Sequence, residues 1–291
     1  MWSALPIHSD CRLGLSTEHG ETQGLPANTT TAEASLHRPA SMSRFAVTCA
    51  RWVPVAFAMA IIVVISDVRQ SLASKPTEIL RYEVMWNGQR AGHGDITTVQ
   101  DAQRINVTVQ AVSDGALKAV LEFWSRVQAT FAAPSFRPEK YVYQLKSNIL
   151  RSELVDLSFD HGTGLVTVNK LLGKARESHA EKIASVYDPV SAIYRLRRQK
   201  DFSKPSCVDI YDGKARARLF VSAGAVEPLA VKCGSYYGIG LQFRLVKLTG
   251  DKEELFAGKI WISDDAHRVP LMLTSRHQVG TVQLELVQVE R

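Results

Sequence analysis

The sequence lacks the short motifs that mark the common enzyme classes. It contains no HExxH, no GxSxG, no phosphate-binding GxxxxGK[ST] loop and no GxGxxG after a strand. Four of its histidines, His93, His161, His179 and His277, show no metal-ligand spacing. We therefore expect no metal and no cofactor. A non-enzymatic role is favoured, although the sequence does not decide whether the protein is an enzyme.

Cysteine is scarce, with four residues in 291 and no CxxC pair for redox chemistry. Cys11 and Cys49 lie near the N-terminus, and Cys207 and Cys233 lie in the part that we expect to fold. In an oxidising compartment such an isolated pair most simply forms a disulfide, so a Cys207–Cys233 bond is predicted. Two buried free thiols are the alternative.

No apolar run is long enough for a comfortable membrane span of about 20 residues. Residues 53–65 are free of charge but number only 13, and Arg44 and Arg51 precede them. This order is typical of a signal peptide, and the small residues around Ala73 predict cleavage after Ala73. The protein is accordingly predicted to be periplasmic, with membrane contact only through residues 42–73.

The best signal peptide begins at Met42 rather than at Met1. Residues 1–41 are polar and without periodicity, which indicates disorder or an over-extended gene model. A genuine long leader and an uncleaved anchor with a cytoplasmic tail are the alternatives. Peptides from residues 1–41 in a mass spectrum of the expressed protein would exclude the over-extended gene model.

Clusters of like charge are also missing. The formal net charge is +6, and the basic residues are scattered along the chain. A scattered excess is typical of a solvated surface, so nucleic acid is not an expected partner.

Most of the remaining chain alternates between apolar and polar residues in short runs separated by turn residues. Asn87–Gly88 is a strong hairpin signal, and Tyr211-Asp212-Gly213-Lys214 and Gly250–Asp251 mark further turns. The pattern predicts a single, mainly β domain over residues 78–291. We expect an antiparallel curved sheet that forms a half-barrel or a barrel-like meander.

One clear helix, over about residues 188–199, interrupts the strands. Asp188 is placed to cap it, and Pro189 suits its first position. Val190, Ile193 and Tyr194 form an apolar stripe that predicts packing across the sheet. The helix divides two meanders, and we expect it to act first as a core element and, by analogy, as a plug or lid.

Binding residues are sought where a curved sheet would hold a ligand. Trp86, Trp124 and Trp261 lie on predicted strands and would line the concave face if they point inward. The helix adds Tyr194 and Arg197. The cationic end of the helix, with Arg195, Arg197 and Arg198, would suit an anionic head group, although it also suits a solvated helix terminus.

Two other groups resemble catalytic sites but have simpler explanations. Asp264 and Asp265 with His267 could form a metal or acid–base cluster, yet the spacing favours a β-turn. Ser191 has no predictable base and is better explained as a residue of the first helical turn.

Several motifs occur together and in order over residues 79–290, and they resemble an exported bacterial family, domain of unknown function 3108. The motifs are Leu80-Arg81-Tyr82-Glu83-Val84-Met85-Trp86-Asn87-Gly88, Ala91-Gly92, Arg137-Pro138-Glu139-Lys140-Tyr141, Asp188-Pro189-Val190-Ser191-Ala192, Tyr211-Asp212-Gly213-Lys214, Ile260-Trp261-Ile262-Ser263-Asp264-Asp265, Arg268-Val269-Pro270-Leu271 and Gly280-Thr281-Val282. The resemblance implies an exported, mostly β protein without an assigned activity. The expected shape is also similar to the lipoprotein-carrier type of fold, which holds acyl chains in a half-barrel.

Three functions are compatible with these observations. The first is a binding or carrier module, or an envelope-assembly accessory protein, whose partner is an acyl lipid or an envelope protein. The second is a periplasmic enzyme acting on an envelope polymer, and the third is a structural protein without a ligand. An apolar concave face that is empty would favour the first, and one that is filled would count against it.

Overall fold

The computed structural model describes residues 77–183, 185–250, 253–277 and 280–291. The predicted signal peptide, its cleavage site and the predicted start at Met42 lie outside these residues. Within them, strands dominate and form one antiparallel sheet of fifteen strands, accompanied by two helices.

The first half of the sheet is a meander of eight strands in chain order. Its elements are β1 (Glu78–Trp86), β2 (Gln89–Gln100), β3 (Arg104–Ser113), α1 (Gly115–Val120), β4 (Phe123–Ala132), β5 (Pro138–Ser147), β6 (Glu153–Asp160), β7 (Leu165–Leu172) and β8 (Ala175–Lys182). The β1–β2 hairpin turns at Asn87 and Gly88, which both have positive φ, as its Asn-Gly sequence predicts. The polar segment after Leu171 contains the edge strand β8.

The second half follows α2 (Pro189–Arg197). It contains β9 (Ser206–Tyr211), β10 (Arg216–Val221), β11 (Ala225–Val231), β12 (Gly234–Lys247), β13 (Glu254–Ser263), β14 (Pro270–His277) and β15 (Gly280–Glu290). Pro228 lies inside β11, which pairs on one side only, with β12. Strands of this kind are where proline is tolerated in a sheet, because alternate N–H groups face away from the ladder.

The two halves join through the first and last strands. β1 pairs with β15, so that Leu80 lies opposite Val289, and the strand order runs from β8 to β1 and then from β15 to β9. The outer strands β8 and β9 are not joined by a ladder, so the sheet is not closed. The β9–β10 turn nevertheless approaches the inner face of β6, where a Cβ on Gly213 would lie 2.6 Å from Val155.

Helix α2 lies on the inner face between the two halves. Asp188 caps it through Oδ1, which accepts hydrogen bonds from the backbone N–H groups of Val190 (2.8 Å) and Ser191 (3.0 Å). Val190 and Tyr194 pack against the core of the first half, and Ala192 packs against that of the second. The predicted core role of the helix is therefore confirmed.

The short helix α1 follows β3. Asp114 occupies its N-cap position but makes no side-chain cap bond. Its carboxylate instead accepts from Arg90 (2.9 Å) and His93 (2.8 Å) of β2. Asp114 does not cap the helix because these partners on the neighbouring strand compete for its carboxylate.

The predicted Cys207–Cys233 disulfide is wrong. Cys233 is a free thiol within the described part of the chain, and it lies beside Gly234 at the beginning of β12. Cys207 pairs with Phe220, which pairs with Arg244 near the other end of β12. Cys207 thus lies level with Arg244, whereas Cys233 lies next to Gly234, about ten residues away along β12. At about 3.3 Å per residue the two cysteines are roughly 30 Å apart, and a disulfide requires Cα atoms within about 7 Å.

Candidate functional site

A small apolar cavity lies between α2 and the inner face of the sheet. Its volume is about 70 Å³, and none of the described residues that line it carries a charge. The wall combines residues from both halves of the sheet with the apolar side of α2; they include Tyr82, Val109, Tyr141, Ile193, Tyr194, Ile260 and Leu284. The inner face is thus apolar at this cavity, as expected, and the helix packs on it.

The size of the cavity limits what it can hold in this conformation. An apolar cavity of about 150 Å³ accepts one benzene molecule, so a space half as large holds only a few carbon atoms. A long acyl chain would fit only if α2 moved away from the sheet. Because α2 leaves only this small space on the inner face, the structure counts against a carrier whose binding site is always open.

A buried ion pair joins the C-terminal end of α2 to the sheet. Arg197 contacts Glu78 of β1 through both terminal guanidinium nitrogens, Nη1–Oε1 at 2.9 Å and Nη2–Oε2 at 3.0 Å. Its Nε donates to the carbonyl oxygen of Arg268 (3.0 Å), and Nη2 also donates to that of His267 (3.1 Å). Arg197 is 7% exposed and Glu78 9%, so both charges depend on this pairing.

Tyr194 lies between the apolar cavity and a larger polar pocket. Its ring packs on Phe131 with centroids 5.4 Å apart, and its hydroxyl hydrogen-bonds to Thr98 on β2. The polar pocket has a volume of about 260 Å³ and lies at the C-terminal end of α2, where Arg197 and Arg198 contribute to its wall. The predicted binding residues Tyr194 and Arg197 therefore meet at one place.

The N-terminal end of α2 contains an unusual carboxyl group. Asp188 is fully buried, and its Oδ2 has no hydrogen-bond partner among the described residues. Burial raises the pKa of Asp188 to about 6, although the hydrogen bonds from Ser191 and Val190 oppose the rise. The carboxyl group is therefore more basic in the folded protein than in the unfolded chain.

This difference predicts a pH dependence of stability. The folded protein binds the proton of Asp188 more tightly than the unfolded chain, whose ordinary pKa is 3.8. Its contribution to stability is therefore complete below about pH 4 and is lost as the pH rises through 6. Two pKa units correspond to about 3 kcal/mol. Asp188→Asn retains a cap oxygen but does not titrate, so we expect urea unfolding to show a flatter pH profile between pH 4 and 7.

Asp188→Ala provides the comparison. It also removes the titrating group, but it loses the cap at a cost of about 1 kcal/mol at every pH. A profile of the Asn variant parallel to that of the wild type would exclude burial of Asp188 as the source of the pH dependence.

The three tryptophans do not gather at this site. Trp124 and Trp261 alternate with inward residues and lie on the outer face, where Lys146 and Lys259 stack over their rings at 5.5 Å and 4.2 Å. Trp86 shares the inner face of β1 with Val84 but lies at the far end from Glu78, and it lines neither pocket. Trp124 and Trp261 therefore do not lie on the concave face, which was the condition for their lining a ligand site.

The Asp264–Asp265 segment is the β-turn that its sequence favours. Asp265 Oδ1 accepts from the backbone N–H groups of His267 (2.7 Å) and Arg268 (3.0 Å). Among the residues that the structure describes, no group of three His, Cys, Asp or Glu side chains is arranged to hold a metal ion.

Glu78 and Thr98 were not predicted as site residues, although Glu78 contacts Arg197 and Thr98 contacts Tyr194. A signal for Glu78 was present, because it shares its strand face with Leu80, Tyr82 and Val84. A charged residue in line with a buried apolar face requires a buried partner of opposite charge. The position of that partner, 119 residues away, was not encoded locally.

Comparison with solved structures supports the fold. A β-barrel-like protein of domain of unknown function DUF1849 from Brucella abortus superposes with a TM-score of 0.50 at 10% identity, covering 75% of this chain and 98% of that one. A protein from Bacteroides fragilis, described as exported and YmcC-like in fold, matches with a TM-score of 0.28 at 8% identity, covering 75% and 97%. The second superposition is too weak to support any statement about this chain.

The comparison with family models assigns the chain to a family. No curated protein matches the chain. Among the described residues, no helix combines the length and apolar character that crossing a membrane requires. The model of the family "Protein of unknown function (DUF3108)" matches residues 81–287, which is most of the sequence and every strand except the outer ends of β1 and β15. The chain therefore belongs to the DUF3108 family.

Proposed function

We propose that this protein is a non-enzymatic binding module of the bacterial cell envelope that holds the hydrocarbon chain of an amphiphile. The chain would lie against the apolar inner face of the sheet, and α2 occupies that face when no ligand is bound. The observation that supports the proposal is the uncharged cavity between α2 and both halves of the sheet. A periplasmic location rests on the predicted signal peptide, residues 42–73.

An exchange of α2 for a ligand is energetically reasonable. Burial of one methylene contributes about 0.8 kcal/mol, so a twelve-carbon chain contributes roughly 10 kcal/mol. Helix α2 presents a handful of buried or half-buried apolar side chains, Val190, Ala192, Ile193, Tyr194 and Leu196. At about 1.5–3 kcal/mol for each larger side chain, their burial contributes a similar total. The apolar burial of the two occupants is therefore similar in size, and the Arg197–Glu78 pair adds to the attachment of α2.

Ligand binding can be tested with dansyl-labelled undecanoic acid and the purified protein. We expect dansyl fluorescence to rise on binding and dodecanoate to displace the probe. Ile193→Trp fills the cavity from the helix side, so we expect it to weaken binding at least tenfold. Ile149→Trp is the matched control, because Ile149 is 54% exposed in a loop and lines neither pocket. The control should bind as the wild type does.

If Ile193→Trp does not fold, Ile193→Phe makes the same test with a smaller ring. Native mass spectrometry of protein prepared from the cell envelope provides a second measurement, and we expect a copurifying lipid mass. Equal binding by the cavity and control variants, or no probe binding by the wild type, would refute the proposed function.

A further inference from the structure

The polar pocket of about 260 Å³ adjoins the apolar cavity, and Tyr194 contributes to both walls. Its other walls come from the beginning of β1, the end of β2, the beginning of β3, the β4–β5 loop, the loop before β14 and Arg291. Thr98 and Gln100 add neutral polar groups, and the pocket is several times larger than the apolar cavity. The larger, polar pocket therefore begins at Tyr194, where the apolar cavity ends.

Arg197 does not supply the free charge of this pocket. Its guanidinium is paired with both oxygens of Glu78 and also donates to two backbone carbonyl groups. The pair is electrically neutral, and its geometry fixes the end of α2. A ligand that bound Arg197 directly would have to displace Glu78.

The surplus positive charge comes from Arg198 and Arg291. Arg198 is exposed and forms no ion pair with any residue that the structure describes. Arg291 lies 3.6 Å from Glu78, whose charge Arg197 already balances. With Glu78 as the acidic residue of the wall, the three arginines leave a net side-chain charge of +2, apart from His267. An anionic group is the complementary ligand.

We propose that this polar pocket binds the anionic head group, a carboxylate or a phosphate, of an amphiphile whose chain enters the apolar cavity while the Arg197–Glu78 pair keeps the C-terminal end of α2, and with it Arg198, in place. The inference rests on the proposed function and adds the class of head group to it. Arg198 recognises the charge, and Thr98 and Gln100 offer hydrogen bonds to its oxygens. The adjoining pockets thus match the two parts of such a molecule, an apolar chain and a charged end.

Calorimetric titration with four compounds tests this assignment. Dodecanoate and dodecyl phosphate carry both parts, dodecanol has the chain alone, and inorganic phosphate has the charge alone. We expect the two anionic amphiphiles to bind more tightly than dodecanol, and inorganic phosphate to bind weakest. Arg198→Gln should weaken binding of the anionic amphiphiles about three- to tenfold and change that of dodecanol less than twofold.

Arg195→Gln is the matched control. Arg195 lies in the same helical turn, but it stacks on Tyr187 and does not line the pocket. It should bind all four compounds as the wild type does. Equal losses for dodecanol and dodecanoate in Arg198→Gln would overturn the head-group assignment and leave the proposed function intact.

The remaining outcomes are also distinct. Inorganic phosphate that bound as tightly as dodecyl phosphate would identify a site for free anions and overturn the assignment to an amphiphile. If none of the chain-bearing compounds bound to the wild type, the proposed function itself would fail.

Discussion

Arg197→Leu is expected to lower the free energy of unfolding by about 3–5 kcal/mol. The substitution leaves the carboxylate of Glu78, 9% exposed, without its bidentate partner and removes two hydrogen bonds to the loop before β14. Breaking one side of a buried ion pair costs this much because the remaining charge keeps no close partner; Glu78 retains only the longer contact with Arg291, at 3.6 Å. Urea unfolding monitored by tryptophan fluorescence measures the change.

The double variant Glu78→Leu/Arg197→Leu separates charge burial from packing. An apolar pair in place of a buried ion pair is often close to neutral, so we expect the double variant to recover most of the loss. Arg195→Leu is the control, since Arg195 is exposed in the same turn, and it should change stability by less than about 1 kcal/mol. A loss below 1 kcal/mol in Arg197→Leu would contradict the role of the pair in holding α2.

The same ion pair has a consequence for ligand binding. If α2 leaves the inner face when an amphiphile enters, its attachment at Arg197 opposes entry. Arg197→Leu should then accelerate association of dansyl-labelled undecanoic acid in stopped-flow experiments, measured where the variant is folded. Unchanged association would indicate that the helix does not move during binding.

Ile193→Asp is expected to destabilise the domain by about 3–4 kcal/mol, or roughly 10 °C in melting temperature. Ile193 lines the uncharged cavity, where a carboxylate would find no positively charged partner among the cavity-lining residues of the described structure. Ile149→Asp is the matched control: the exposed loop position should tolerate the same change within about 0.5 kcal/mol. Circular dichroism during heating compares the two.

Equal melting temperatures for the two variants would mean that α2 does not pack on the sheet. A loss in Ile193→Asp that largely disappears below pH 4 would show that the charge, rather than the shape, of the new side chain causes it, because the carboxylate is then protonated.

Local features of the sequence predicted most of the elements. The Asn87–Gly88 turn, the Asp188 cap and the alternation along each strand depend on residues that are near one another in the chain. Their backbone preferences act whatever the rest of the chain does, and the structure has each of them. Long-range partners can override a local preference, as at Asp114, which binds Arg90 and His93 instead of capping α1.

The candidate site was only partly predictable. Helix α2 and two of its site residues, Tyr194 and Arg197, follow from the sequence, because a single amphipathic helix in a β chain must bury its apolar stripe on the sheet. The face occupied by Trp124 and Trp261 depends on strand register, which a one-residue shift reverses. The Cys207–Cys233 prediction failed for a related reason, since proximity in sequence says nothing about position along a long strand.

By itself, the sequence determined that this is a mainly β protein with one packed helix, because periodicity and turn chemistry are local. Only the tertiary structure decided that β1 pairs with β15, that Glu78 meets Arg197, and that α2 packs on the concave face. Each of these joins residues that are roughly a hundred or more positions apart or depends on the curvature of the whole sheet. No local preference specifies such contacts, because they are stabilised only when the complete sheet brings the partners together.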